Sequence, residues 1–169
     1  DAVFAARQFT AGEPFVVLNA DNYYFPATVE LLRRANGPAT IGYSRHGLLR
    51  SGNIAADRIA AYAALDVGDD GTLKQIFEKP SEALPAAVDA TGPVSMNVWR
   101  FTSEIFRACR DVRPSPRGEL ELPLAVQYAI DILGMRFTVI PVDEAVLDLS
   151  RRSDIPRVAA LLSANGVAF

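Results

Sequence analysis

The run Pro14-Phe15-Val16-Val17-Leu18-Asn19-Ala20-Asp21 constrains this chain more than any other stretch. It sets four apolar residues in a row, two of them β-branched, and then stops on a carboxylate. Such a run is long enough for a buried, central β-strand and too short for a helix. Open α/β sheets place ligands outside the carboxyl ends of their strands, so Asp21 is offered to a ligand or a metal. Two readings stand at this point. Asp21-Asn22 either makes an Asx-type turn that caps the next helix or carries chemistry.

The rest of the chain alternates as a layered fold should. Residues 1–9 read as an amphipathic helix with Phe4, Ala5 and Phe9 on one face. Residues 27–36 carry the stripe Val29, Leu31 and Leu32, and Asn36-Gly37-Pro38 supplies a stop. A strand is expected at 39–43 and an irregular exposed loop at 44–57, where Gly47 and Gly52 fall. Residues 58–67 and 73–78 flank Asp70-Gly71, a hairpin signal, although the alanines of 58–64 also permit a helix. A strand at 94–101 precedes a helix that ends before Pro114, and a second helix runs to about residue 133, where Gly134 closes it. Strands at 136–142 and 144–149 and a last helix from about 153 to Asn165-Gly166 complete the pattern. Residues 81–93, rich in Ala and Pro, are the best linker candidate, yet too short to divide the chain.

Composition narrows the class. At 169 residues, half of them hydrophobic and 22% charged, the chain fits one globular α/β domain with a sizeable core. A formal net charge of −3 offers polyanions no general attraction, which argues against nucleic acid as a partner. Cys109 is alone, so no disulfide forms within the chain; a reducing compartment, hence a cytoplasmic location, is expected. No apolar run approaches the length of a membrane span. His46 is the sole histidine and cannot anchor a zinc site with Cys109 so far along the chain. No nucleophile-elbow motif supports a Ser-His-Asp triad.

Four local patterns bear on chemistry. In Phe77-Glu78-Lys79-Pro80 the proline keeps Lys79 extended at a strand end, as a point charge for a phosphate or as half of a solvated ion pair. In Gly118-Glu119-Leu120-Glu121 the two acids either share a face or answer a helix macrodipole. Ala145-Val146-Leu147-Asp148 is a second apolar run ending on Asp. Two strand-end aspartates can converge over one sheet edge, and Mg²⁺ favours one or two carboxylates completed by water and phosphate oxygens. The bland reading of Asp148 is a turn residue before Ser150-Arg151-Arg152-Ser153. Arg45, His46 and Arg50 read best as a solvated loop face.

Taken in order, Val17-Leu18-Asn19-Ala20-Asp21-Asn22, Phe77-Glu78-Lys79-Pro80, Ser95-Met96-Asn97-Val98-Trp99-Arg100-Phe101, Gly118-Glu119-Leu120-Glu121-Leu122 and Leu147-Asp148-Leu149 resemble the sugar-phosphate nucleotidylyltransferases. The resemblance spans nearly the whole chain. It implies a Rossmann-like three-layer mixed sheet with helices on both faces. It also implies a reaction in which a sugar 1-phosphate attacks the α-phosphate of a nucleoside triphosphate, giving a nucleotide sugar and pyrophosphate. On that basis Asp21 and Lys79 are catalytic, Asp21 and Asp148 hold Mg²⁺, and Glu78, Asn97 and, more weakly, Glu119 contact the sugar. Nothing in residues 1–20 matches the family's glycine-rich loop. The chain is therefore expected to be the C-terminal two thirds of a catalytic domain, competent only in the full-length protein. A metal-dependent glycosyltransferase of similar fold and a non-catalytic nucleotide-sugar-binding domain remain alternatives, and homo-oligomerisation stays open.

Overall fold

A computed structural model describes residues 2–78 and 92–167. The expected linker, apart from Gly92 and Pro93, and Lys79 with it, lie outside the described residues. The chain opens with a short helix α1 (Ala2–Ala5) continued by a 3₁₀ turn, then strands β1 (Phe15–Val17) and β2 (Asn22–Tyr24). Helix α2 (Pro26–Arg33) begins on a proline whose fixed φ suits the first turn, and Gly37 at φ +86° turns the chain into β3 (Ala39–Tyr43). Two short helices follow, α3 (Arg45–Ser51) and α4 (Ala56–Ile59), and then the hairpin β4 (Ala64–Val67) and β5 (Leu73–Phe77). Gly71, at φ +75°, makes the turn that Asp70-Gly71 announces. Strand β6 (Trp99–Phe101), helices α5 (Ile105–Asp111) and α6 (Leu122–Asp131), strands β7 (Thr138–Val142) and β8 (Val146–Asp148), and helix α7 (Ile155–Ala164) complete the order.

The main sheet is mixed and runs β1-β6-β3-β7, with β6 antiparallel to both its neighbours and β3 parallel to β7. Side chains on a strand alternate between faces, and here the alternation splits the core in two. Ala39, Ile41, Tyr43 and Val98 pack under Leu32 of α2, Leu48 of α3 and Ile59 of α4. On the other face Trp99, Phe101 and Val139 pack under Ile105 and Ala108 of α5 and Val126 and Ala129 of α6. Helices on both sides of a mixed sheet are the architecture expected from the sequence. Burying a side chain the size of Phe101 or Ile105 contributes about 1.5–3 kcal/mol, so the two faces together anchor the sheet. Among the described residues no helix is long and apolar enough to cross a membrane.

Three local expectations are corrected. Among the described residues β1 stands at the edge of the sheet rather than at its centre, paired with β6, and its residues are half-buried. The expected loop at 44–57 is largely helical, because Ser44 caps α3 by accepting a hydrogen bond from Gly47 N at 2.8 Å. Gly47 is there for contact rather than for breaking a helix: a Cβ would stand 2.7 Å from the Asp143 carbonyl carbon and the Glu144 nitrogen. The expected strand at 94–101 is interrupted at Asn97, whose φ of +53° turns the backbone out of the ladder. The helical option for residues 58–64 is realised only as far as Ile59.

Candidate active site

Strands β2 and β8 form a small antiparallel pair of their own, in register Asn22↔Asp148, Tyr23↔Leu147 and Tyr24↔Val146. The amide of Leu149 donates to the Asp21 carbonyl at 2.8 Å and extends the pairing by one residue. Two aspartates from nearly opposite ends of the chain thus stand side by side. They line a cleft of about 100 Å³ together with Tyr62, Ser95, Asn97 and Ser150. The Tyr24 hydroxyl donates to the Met96 carbonyl at 2.5 Å and ties the turn that carries Asn97 to β2. Burial first, and then the charges of Asp21 and Asp148, push the Tyr24 phenol up from its ordinary value. It is therefore a neutral donor at physiological pH.

Asp21 is exposed, and among the described residues no hydrogen bond or ion pair is recorded for its carboxylate. Asp148 is the opposite case, 3% exposed and surrounded by donors. Its Oδ2 accepts from the Arg58 guanidinium and, at 3.1 Å, from the Tyr62 hydroxyl. Its Oδ1 accepts from Ser150 N at 3.0 Å and Ser150 Oγ at 2.7 Å. With its amide nitrogen turned toward the two aspartates, Asn22 adds a donor 3.2 Å from the same Oδ1. The backbone of Asp148 is clamped as well. Asn53 donates to its carbonyl at 2.6 Å and accepts from its N–H at 2.9 Å. Arg58 also faces Asp154 at 3.5 Å, and Tyr62, raised mainly by burial and then by the Asp148 charge, stays protonated.

Asn97 contributes an unusual atom. Its Oδ1 is buried with no donor among the described residues, while its backbone N–H is spent on Ser95 Oγ at 3.2 Å. A buried acceptor left open at a cleft wall is suited to a hydroxyl or a water that arrives from the cleft.

The structure brings together three of the residues picked out from sequence, Asp21, Asn97 and Asp148. Glu119 stands apart, with two thirds of its side chain in solvent and 3.8 Å from Arg117. Glu78 is exposed at the end of β5, where its charge acts on Arg117. Neither lines the cleft, and Lys79 falls outside the described residues. A second, largely apolar cavity of about 290 Å³ adjoins the cleft at Asn19 and is lined by Val3, Leu18, Cys109, Leu120 and Glu121. Cys109 is a half-buried helix residue whose thiol is pushed up by burial, as expected of a packing residue. Arg58, Tyr62 and Asn53 escaped the sequence reading. Arg58 and Asn53 had a faint signal as polar residues flanking buried Ile54 and Ile59; Tyr62 lay in an expected strand.

The two aspartates as arranged do not fit a single cation held between them. A carboxylate has about four acceptor sites, and those of Asp148 are filled by protein donors, one of them a guanidinium. Asp21 alone presents an unfilled carboxylate to the cleft.

No family model matches the chain. Curated relatives do match. UTP-glucose-1-phosphate uridylyltransferase AglF of Haloferax volcanii is 34% identical over 101 residues, which cover 58% of this chain and 37% of that protein. Glucose-1-phosphate thymidylyltransferase of Streptomyces antibioticus is 27% identical over 138 residues, 77% of this chain and 33% of that protein. The chain is thus similar, over part of its length, to proteins named as sugar-1-phosphate nucleotidyltransferases. It spans about a third of the length of these relatives. The same fold is found in the apo form of a UDP-glucose pyrophosphorylase, with a TM-score of 0.69 at 14% identity; the match covers 98% of this chain and 60% of that chain.

Proposed function

We propose that the protein to which this chain belongs is a sugar-1-phosphate nucleotidylyltransferase, that the chain makes up the C-terminal two thirds of its single catalytic domain, and that it works in the cytoplasm. In the reaction, a phosphate oxygen of the sugar 1-phosphate attacks the α-phosphorus of a nucleoside triphosphate. The bond from that phosphorus to the bridging oxygen breaks, and pyrophosphate leaves with the electron pair. Such transfers ask the protein for positioning and charge neutralisation rather than a covalent intermediate. The convergence of Asp21, Asp148 and Asn97 on one cleft is the observation that supports this reading best.

Within the proposal, Asp21 is the carboxylate that the cleft offers to Mg²⁺, the cation such a substrate pair favours. Asn97 Oδ1 accepts a hydrogen bond from a sugar hydroxyl, which supplies the donor its buried position lacks. Lys79 is assigned to the sugar phosphate; Glu78 and Glu119, which lie outside the cleft, are left to contacts with the sugar beyond it. Tyr24 and Tyr62, held neutral, hold the cleft wall without adding charge beside the phosphates.

The test is a coupled pyrophosphate assay on the full-length protein across nucleoside triphosphates and sugar 1-phosphates. Pyrophosphate release with one pair is expected, and Asp21→Asn should reduce it at least about a hundredfold, the scale on which losing a charge-stabilising group acts. Undiminished turnover in that variant would remove Asp21 from the site. Sugar transfer to an acceptor without pyrophosphate would favour the glycosyltransferase reading instead.

A further inference from the structure

Asp148 fixes which way the protons on one side of the cleft point. An ionised carboxylate accepts and never donates, so each polar neighbour turns a hydrogen toward it. The Tyr62 hydroxyl does so at 3.1 Å and the Ser150 hydroxyl at 2.7 Å. The Asn22 amide nitrogen does so at 3.2 Å, and its other hydrogen meets the Asp21 carbonyl at 3.3 Å. The Arg58 guanidinium offsets the charge of Asp148, so this carboxylate asks nothing of the cleft. A hydroxyl has one proton and two lone pairs. Tyr62 and Ser150 both line the cleft, and with their protons on Asp148 they have only acceptor capacity left for it. Burial keeps the Tyr62 phenol protonated, so its oxygen stays neutral. To these two oxygens the wall adds Asn97 Oδ1, buried and without a donor among the described residues. Side-chain donor hydrogens for a ligand come only from Ser95, Asn19 and the Asn97 amide nitrogen among the described residues of the lining.

We propose that the oxygens of Tyr62, Ser150 and Asn97 form a donor-selecting subsite: they take a ligand group that gives a hydrogen, a sugar hydroxyl or an amine in its place, and turn away an isostere that has none. The proposal rests on the reading of the cleft as a sugar-phosphate site. It makes Tyr62 and Ser150 specificity-determining residues, and Asp148 a positioning residue that acts through their protons. A group without a hydrogen would set lone pairs against lone pairs and leave Asn97 Oδ1 unpaired. Sites built to pair a substrate hydroxyl reject the analogue that lacks it for this reason, far more strongly than an apolar pocket rejects a change of size.

The experiment measures the binding of glucose 1-phosphate to the full-length protein by calorimetry, with nucleoside triphosphate withheld. Beside it are run its singly deoxyfluorinated analogues and the amino sugars with nitrogen at the same carbons. Fluorine stands in for the hydroxyl oxygen and removes the hydrogen. At least one fluoro analogue should bind about tenfold more weakly or worse, and the amine at that carbon should bind as well as the hydroxyl. Asp148→Asn gives Tyr62 and Ser150 an amide donor to face, so one of them turns its proton to the cleft and the fluoro penalty shrinks several-fold. Ser150→Ala and Tyr62→Phe each delete one acceptor and should shrink it as well. A general loss of affinity cancels in this ratio, which a merely structural role would leave in place. A penalty unchanged in every variant that folds overturns the proposal. So does equal affinity across the wild-type series, or a loss with the amine as large as with fluorine, which would mean shape rather than hydrogen. No binding by any member overturns it together with the sugar-phosphate reading. Pyrophosphate release is not read here, so a donor preference without turnover sinks the proposed reaction and leaves the subsite standing.

Discussion

Asn53 shows how much of the cleft hangs on a single amide. It satisfies both the N–H and the carbonyl of Asp148 and thereby fixes where the carboxylate points, although it does not itself line the cleft. Replacing it with Ala leaves two backbone groups of a buried residue unpaired. The expected loss is about 1–3 kcal/mol, read as a lower midpoint in urea unfolding with an unchanged slope. A changed slope, or no loss, would contradict the clamp. Residue-scale roles of this kind were the least legible in the sequence. Asp21 and Asp148 stood out because each ends an apolar run, a pattern visible along the chain. Asn53, Arg58 and Tyr62 reach Asp148 only through the fold. Asn97 was noticed by family resemblance, but its left-handed backbone and open Oδ1 are properties of the folded turn.

Elements were far more legible, since periodicity is local. The stripe on α2, the Asp-Gly hairpin between β4 and β5, the Pro-led start of α6 and the closing glycines 134 and 166 all appear where residue spacing put them. Helix α3 was missed because glycine usually signals a break, whereas Gly47 is required by the close approach of the Asp143-Glu144 backbone. Two substitutions separate these causes. Ser44→Ala removes the cap and should cost about 1 kcal/mol in thermal or urea unfolding. Gly47→Ala, normally favourable inside a helix, should instead destabilise, because its Cβ would meet backbone at 2.7 Å. A stabilised Gly47→Ala would show that the contact yields without cost. The edge position of β1 was equally invisible, since an apolar run of that length is common to central strands and to half-buried edges with one covered face.

At the scale of the molecule, the core under α2, α3 and α4 takes in tyrosines as well as hydrocarbons. Burial is the main cause that pushes the phenols of Tyr24, Tyr43 and Tyr62 above their ordinary value of 10.0. A group whose folded pKa is raised retains its proton longer in the folded than in the unfolded chain. Its contribution to stability is therefore complete below the unfolded value near 10 and is lost as pH rises from there toward the folded values. The melting temperature should be insensitive to these groups from about pH 7 to 9 and fall steeply above about pH 10. Tyrosinate absorbance from the three should rise only together with unfolding. Their free titration in the folded protein would contradict their burial.

The pairing of β2 with β8 has a consequence in time. Its three residue pairs join positions near opposite ends of the chain, and so short a ladder returns little for closing so long a loop. The cleft should therefore be among the last features to form on refolding and the first to open. Amide exchange at Tyr23 and Leu147 should outpace exchange in β3, an interior strand of the main sheet that pairs with both β6 and β7. Where two short strands meet last, an intact site certifies that every preceding step of folding has succeeded.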